Sequence, residues 1–173
     1  MDKIICYDNY PPLFALAANL VTFAIYALGA VILSGLGPLY AVIFLLYCLA
    51  LEIRLMKKSC VDCYYYGKLC FSGRGLLCSL FLRRGDPQRF LSKQLAWQQL
   101  IPDFLLTLAP LCAGIVLFIM DFSWTRLGLM AALLVLGLPV TGYIRGCLAC
   151  LHCRQRGLGC PAADLFKQGA GSS

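Results

Sequence analysis

The sequence predicts an all-α polytopic membrane protein. Four transmembrane helices form two tandem helix hairpins, each followed by a cytoplasmic CxxCxxxGxxC head. Three observations carry this prediction: four long apolar runs, a one-sided distribution of cations, and a cysteine pattern that occurs twice, 90 residues apart.

The apolar runs cover about 12–34, 38–56, 101–120 and 124–143. Each is long enough to cross a hydrocarbon core of about 30 Å at about 1.5 Å per residue. Hydrophobic residues make up 61% of the 173 residues and charged residues 13%, with a mean hydropathy of +0.79. So few charges cannot cover a water-facing surface, which excludes a soluble domain. The first run exceeds the apolar core of a signal peptide and has no small-residue cleavage site after it, so it is read as a retained span.

Orientation follows from the cations. Of 15 Lys and Arg residues, only Arg126 falls in or beside the short connections SGLG and DFSW. The others lie at the N-terminus, at the ends of spans two and four, in 57–100 and in the tail. The positive-inside rule therefore puts both termini, the 57–100 segment and the cysteine clusters in the cytoplasm of a multi-pass cell-membrane protein. The net charge of +7 is read as a basic collar facing anionic lipid, with no nucleic-acid partner. Cysteines in a reducing compartment favour metal or thiol chemistry over structural disulfides.

The chain reads as a single membrane domain, 1–173, built from a repeat. Shifted by 90 residues without a gap, Pro12 falls on Pro102, Phe14 on Phe104 and Leu16 on Leu106. Unit one is 11–70 and unit two is 101–160, with a tail at 161–173. Each unit holds two spans, so the units run parallel and their heads should lie side by side. Between them, 71–100 reads as an interfacial connector of one or two amphipathic helices, broken at Gly85-Asp86-Pro87, with Lys93 and Trp97 at headgroup level. Pro110 and Pro139 should kink or break their spans. Asp103 reads as a cap at the start of span three, and Gly142 and Gly146 as a close helix contact.

The heads carry the chemistry. Cys60, Cys63, Gly67 and Cys70 recur as Cys150, Cys153, Gly157 and Cys160. If helix two continues to about Tyr66, Cys60 and Cys63 share a face, a left-handed Gly67 ends the helix, and Cys70 returns toward them. Two CxxC pairs from the two units could close a tetrahedral site of Cys60, Cys63, Cys150 and Cys153 around zinc or iron. Alternatively each head offers three thiols to an iron–sulfur cluster, with Cys147 as a fourth ligand for the second head. The run from Cys147 to Pro161 departs from bacterial ferredoxin spacing in its longer last gap. His152 lies between two of these cysteines but has Asp62 as its counterpart, which weighs against a shared ligand role. Cys6, Cys48, Cys78 and Cys112 read as small hydrophobes, and Tyr64–Tyr66 as interfacial anchors.

Together, CVDCYYYGKLC and CLHCRQRGLGCPAADLF resemble a family of small, cysteine-rich, four-span membrane proteins of anaerobic microbes. The resemblance covers most of the chain; it implies the architecture and no activity. The expected function is a membrane-embedded metal-binding module holding zinc or an iron–sulfur cluster, without catalysis, and serving a membrane-protein partner or a homodimer. A membrane thiol oxidoreductase, which needs a thiol of lowered pKa, and a small transporter or structural membrane protein are the alternatives.

Overall fold

The computed structural model describes residues 6–92 and 97–160. Lys93, Pro161 and the tail 161–173 lie outside the described residues, as does the side chain of Trp97. The described chain is helical, and four of its helices are long and apolar enough to cross a membrane. Helix α1 spans Pro12–Ser34, α2 Pro38–Lys58, α3 Arg74–Phe81, α4 Pro87–Ser92 and α5 Trp97–Met120. The last long rod starts as α6, Trp124–Val135, passes through a π turn at Leu136–Val140, α7 at Thr141–Tyr143 and a second π turn at Ile144–Cys150. A short α8, Arg154–Gly159, follows. The side chains on the long helices' outer faces, such as Phe23 at 65% exposed and Leu39 at 66%, require lipid around them.

The chain divides into two compact units that do not follow the sequence repeats. One comprises Leu20–Ile53 and Trp97–Gly142; the other comprises Met1–Asn19, Arg54–Ala96 and Tyr143–Ser173.

The first of these is a bundle of the spans. Its core packs Leu33, Phe44, Cys48 and Ala113 in one cluster and Ile25, Ile32 and Leu133 in another. Small residues set the helix spacing: a Cβ on Gly29 would stand 2.6 Å from the Phe44 ring. At the turn between α1 and α2, Gly37 takes a φ of 143° that other residues rarely adopt, and Pro38 opens the next helix. At the turn between α5 and α6, Arg126 donates to the carbonyls of Leu117 and Asp121 and pairs with the Asp121 carboxylate at 3.1 Å. The guanidinium thus supplies the Asp121 carbonyl with a donor just past the end of α5 and adds a second donor to Leu117 O, which also accepts the Asp121 N–H. Glu52 accepts a hydrogen bond from Tyr26 Oη at 2.7 Å.

The prolines divide. Pro110 is fully buried, and α5 runs on through it. Pro139 lies in the π turn, where the extra residue relieves the clash between its ring and the preceding turn, and Thr141 Oγ1 donates to Leu136 O at 2.7 Å. Two expectations need correction. Helix α5 begins at Trp97, so Asp103 is an exposed residue of its second turn and not a cap. Gly142 has open space where a neighbouring helix would lie.

The second unit gathers the two cysteine heads, the connector helices and the N-terminal segment. The connector is broken as the sequence predicts, with 82–86 separating α3 from α4. Gly75 and Gly85 let backbone pack closely here. A Cβ on Gly75 would collide with the Tyr65 and Lys68 carbonyls, and one on Gly85 with the Asp62 carboxylate.

Candidate metal centre

Helix α2 stops at Lys58 instead of continuing to Tyr66. Cys60–Asp62 form a single 3₁₀ turn, and Cys63 leaves it extended, at φ −81° and ψ 152°. Cys60 and Cys63 therefore bracket a tight turn; they do not share a helix face. The second head makes the same turn. Cys63 N–H donates to Cys60 O at 3.4 Å, and Cys153 N–H donates to Cys150 O at 3.4 Å. Tyr66 N–H donates to Cys63 O, and Arg156 N–H to Cys153 O, both at 3.1 Å. The heads then diverge. Gly67 is left-handed, at φ 75°, and Gly67 N–H reaches Gly75 O at 3.0 Å. Gly157 lies within α8 and ends no helix in that way.

The heads are joined by a reciprocal pair of hydrogen bonds. Tyr64 N–H donates to Gln155 Oε1 at 2.9 Å. Arg154 N–H donates to Tyr65 Oη at 3.0 Å. Tyr64 and Arg154 stand 90 positions apart, and so do Tyr65 and Gln155. The residue after the second cysteine of each head thus donates to the side chain at the next position of the other. Tyr65 is 3% exposed and Gln155 5%.

An N-terminal strap fastens both heads. Tyr7 N–H donates to His152 O at 3.0 Å, and Tyr10 N–H to Leu69 O at 2.9 Å. Tyr10 Oη donates to Ala149 O, and Tyr65 Oη to Tyr7 O, both at 2.6 Å. Tyr64 Oη donates to Asp8, which also pairs with Arg154 at 2.9 Å. Tyr66 Oη donates to Leu82 O. The three tyrosines hydrogen-bond within this unit and so are not simple headgroup anchors.

The thiols gather around this joint. Cys63 lies within electrostatic reach of Cys70 in its own head and of Cys153 and Cys160 in the other. Cys60 is similarly near Cys70 and Cys63, and Cys150 near Cys153 and Cys160. Backbone N–H groups point at three sulfurs: Gly75 at Cys70, 3.2 Å away, Tyr65 at Cys63, and Gln155 and Arg156 at Cys153. Burial pushes the Cys63 thiol up to about 11, against the pull of the Tyr65 N–H. Burial likewise raises Cys153 and takes Tyr65 up to about 12. A thiol held neutral is a poor attacking group, so the lowered pKa that the oxidoreductase alternative needs is not found at Cys63 or Cys153.

Among the described residues, no three His, Cys, Asp or Glu side chains close around one point as a metal-binding group. Cys60, Cys63, Cys70, Cys150, Cys153 and Cys160 are half-buried free thiols of one unit, whereas Cys147 is exposed. His152 turns its ring to Tyr7 at 5.4 Å. Cys48 and Cys78 are buried as expected, but Cys6 and Cys112 are exposed. Sequence reasoning missed the strap and the Tyr65–Gln155 pairing. The only available signal was that both residues hold the same position between matched cysteines.

Comparison with protein-family models, curated proteins and solved structures finds no match to this chain.

Proposed function

We propose that the chain is a membrane-embedded metal-binding protein. Its two cysteine heads form one pseudo-symmetric cytoplasmic site for zinc or an iron–sulfur cluster, as an accessory or electron-transfer module of a larger membrane system. The observation that carries this reading is the reciprocal pair from Tyr64 to Gln155 and from Arg154 to Tyr65, which joins the two heads at the residues that follow Cys63 and Cys153. The N–H groups aimed at sulfur support it, because such donors favour thiolate, the ligand form. Metal would complete the site when the thiols rotate about χ1 and lose their protons.

Anaerobic purification of the full chain, followed by metal analysis and an absorption spectrum, tests this reading. Broad visible absorption with bound iron and sulfide indicates a cluster; a colourless protein with stoichiometric zinc indicates a tetrahedral thiolate site. A protein that takes up neither metal, and instead cycles one CxxC between dithiol and disulfide, belongs to the oxidoreductase class.

A further inference from the structure

We infer that α3 belongs to a re-entrant wedge. The chain enters the leaflet nearest the heads at Leu69, turns at Ser72-Gly73 against α1, and returns along α3 with Leu76, Leu77, Leu80 and Phe81 facing the acyl chains of the lipid. This does not depend on metal at the heads.

Depth is set by α1. Its 23 residues are little longer than a hydrocarbon core of about 30 Å at about 1.5 Å per residue. The exposed Leu13 and Leu16 require lipid from its first turn onward. The connector follows this helix inward. Tyr10 N–H donates to Leu69 O at 2.9 Å, and the Phe71 ring packs on Tyr10 at 5.7 Å and Phe14 at 6.3 Å. Asn19 Nδ2 then donates to Ser72 O at 3.2 Å. Asn19 stands about 10 Å along α1 from Pro12 at about 1.5 Å per residue. The way out follows the end of α2. Cys78 Sγ donates to Met56 O at 3.8 Å, in the last turn of α2. Tyr66 Oη donates to Leu82 O at 2.7 Å, and Gly85 N–H to Val61 O at 3.0 Å, both beyond that helix.

Irregular backbone is tolerated at membrane depth only where the protein satisfies its polar groups. Here it does. Gly73, left-handed at φ 71°, donates its N–H to Cys70 O at 2.9 Å. Asn19 serves Ser72 O, Gly75 N–H reaches Cys70 Sγ at 3.2 Å, and Ser79 Oγ turns back on Leu76 O at 2.7 Å. From Gly75 to Leu82 the sequence carries no charge. One side of α3, with Gly75 and Cys78, is buried, while Leu80 is 71% exposed and Phe81 79%. Cations mark where the wedge ends. The exposed Lys57 and Lys58 close α2, and the exposed Arg83 and Arg84 follow α3, in place to meet anionic headgroups. Arg74, the one charge on α3, is half-buried and has a stem long enough to snorkel.

The test is tryptophan quenching in nanodiscs of phosphatidylcholine and phosphatidylglycerol, with the full chain carrying Trp97→Phe and Trp124→Phe. Leu77→Trp, Phe81→Trp and Arg84→Trp each place a single probe, and the acyl chains carry bromine either near the ester or at mid-chain. Helical circular dichroism verifies that each variant folds. If Leu77→Trp does not fold, Leu76→Trp provides the measurement from the same turn. The ratio of mid-chain to ester quenching should fall from Leu77→Trp to Phe81→Trp, and aqueous iodide should quench Arg84→Trp alone. Asn19→Leu, which removes the donor to Ser72 O, should lower the ratio at Leu77→Trp; an unchanged ratio overturns the role given to Asn19. Equal ratios at positions 77 and 81 mean a helix lying flat at the surface and overturn the wedge. Iodide quenching of Leu77→Trp, or shielding of it from lipid and iodide alike, overturns it too, because the face then meets water or protein.

Discussion

Removing the acceptor at Gln155 should loosen the joint between the heads by a measurable amount. Gln155 is 5% exposed, and its Oε1 accepts the Tyr64 N–H at 2.9 Å. Gln155→Ala leaves that N–H without its partner, which costs about 1–3 kcal/mol where water cannot reach. For a chain of this size, a loss of about 2 kcal/mol lowers the thermal midpoint by roughly 4–8 °C. Tyr65→Phe removes both the acceptor for Arg154 N–H and the donor to Tyr7 O, so its loss should be larger. Because the two positions serve one joint, their effects should not add: once one is broken, the second substitution has less to remove. The assay is thermal unfolding of the full chain in detergent, with chelator competition as a second readout. If the metal needs paired heads, each 1.4 kcal/mol lost from the pairing weakens apparent binding by up to about tenfold. A Gln155→Ala protein within about 0.5 kcal/mol of the parent, the range of an ordinary surface change, would refute the claim that this bond joins the heads.

Gly75→Ala should destabilise the second unit by about 1–3 kcal/mol, because the new methyl meets the Tyr65 and Lys68 carbonyls, which are backbone and cannot swing aside; chemical denaturation measures it. In the metal-free protein Cys63, with its thiol at about 11, is neutral at pH 8. Its alkylation rate should climb about tenfold per pH unit from pH 8 to 10, as the thiolate fraction does, and a flat rate, read by mass spectrometry, contradicts the burial argument. A membrane-impermeant thiol reagent added to intact cells should leave the exposed Cys6 unmodified and modify it after lysis. Labelling from outside would reverse the orientation drawn from the cations.

The spans were legible because a bilayer imposes a length and an apolar composition that few other environments require. The starts of α1, α2 and α6 fall where the apolar runs begin, at Pro12, Pro38 and Trp124. The ends of α1 and α5, at Ser34 and Met120, also fall where their runs end, but those of the other two spans do not. Helix α2 ends at Lys58, because the sequence after it folds into a cysteine turn whose hydrogen bonds replace the helical ones. The rod after α6 runs on to Cys150 through two π turns, and a proline in the sequence does not say whether a helix will break there or absorb an extra residue. Pro110 and Pro139 show both responses of otherwise ordinary spans: a continuous α-helix packed on Gly29, and a π turn closed by Thr141.

The site was half legible, and the illegible half explains the other. Matched cysteines show that two heads exist, but thiols of different heads meet only if something fixes the distance between them. Here that role falls to one matched position inside a stretch where the heads differ, Tyr65 of YYY and Gln155 of RQR. A tyrosine hydroxyl and a glutamine carbonyl oxygen are chemically unlike, yet each can accept one backbone N–H, and that is all the joint asks of the position. A repeat constrained by hydrogen-bond capacity can change residue type freely, whereas one constrained by a soft ligand cannot, since few side chains supply sulfur. On the metal-binding reading proposed above, the cysteines stay in register as ligands while the residues that join the heads are free to diverge. The strap follows the same logic: Tyr7, Asp8 and Tyr10 bind mostly through backbone groups and single oxygens, so they leave no motif although they touch both heads.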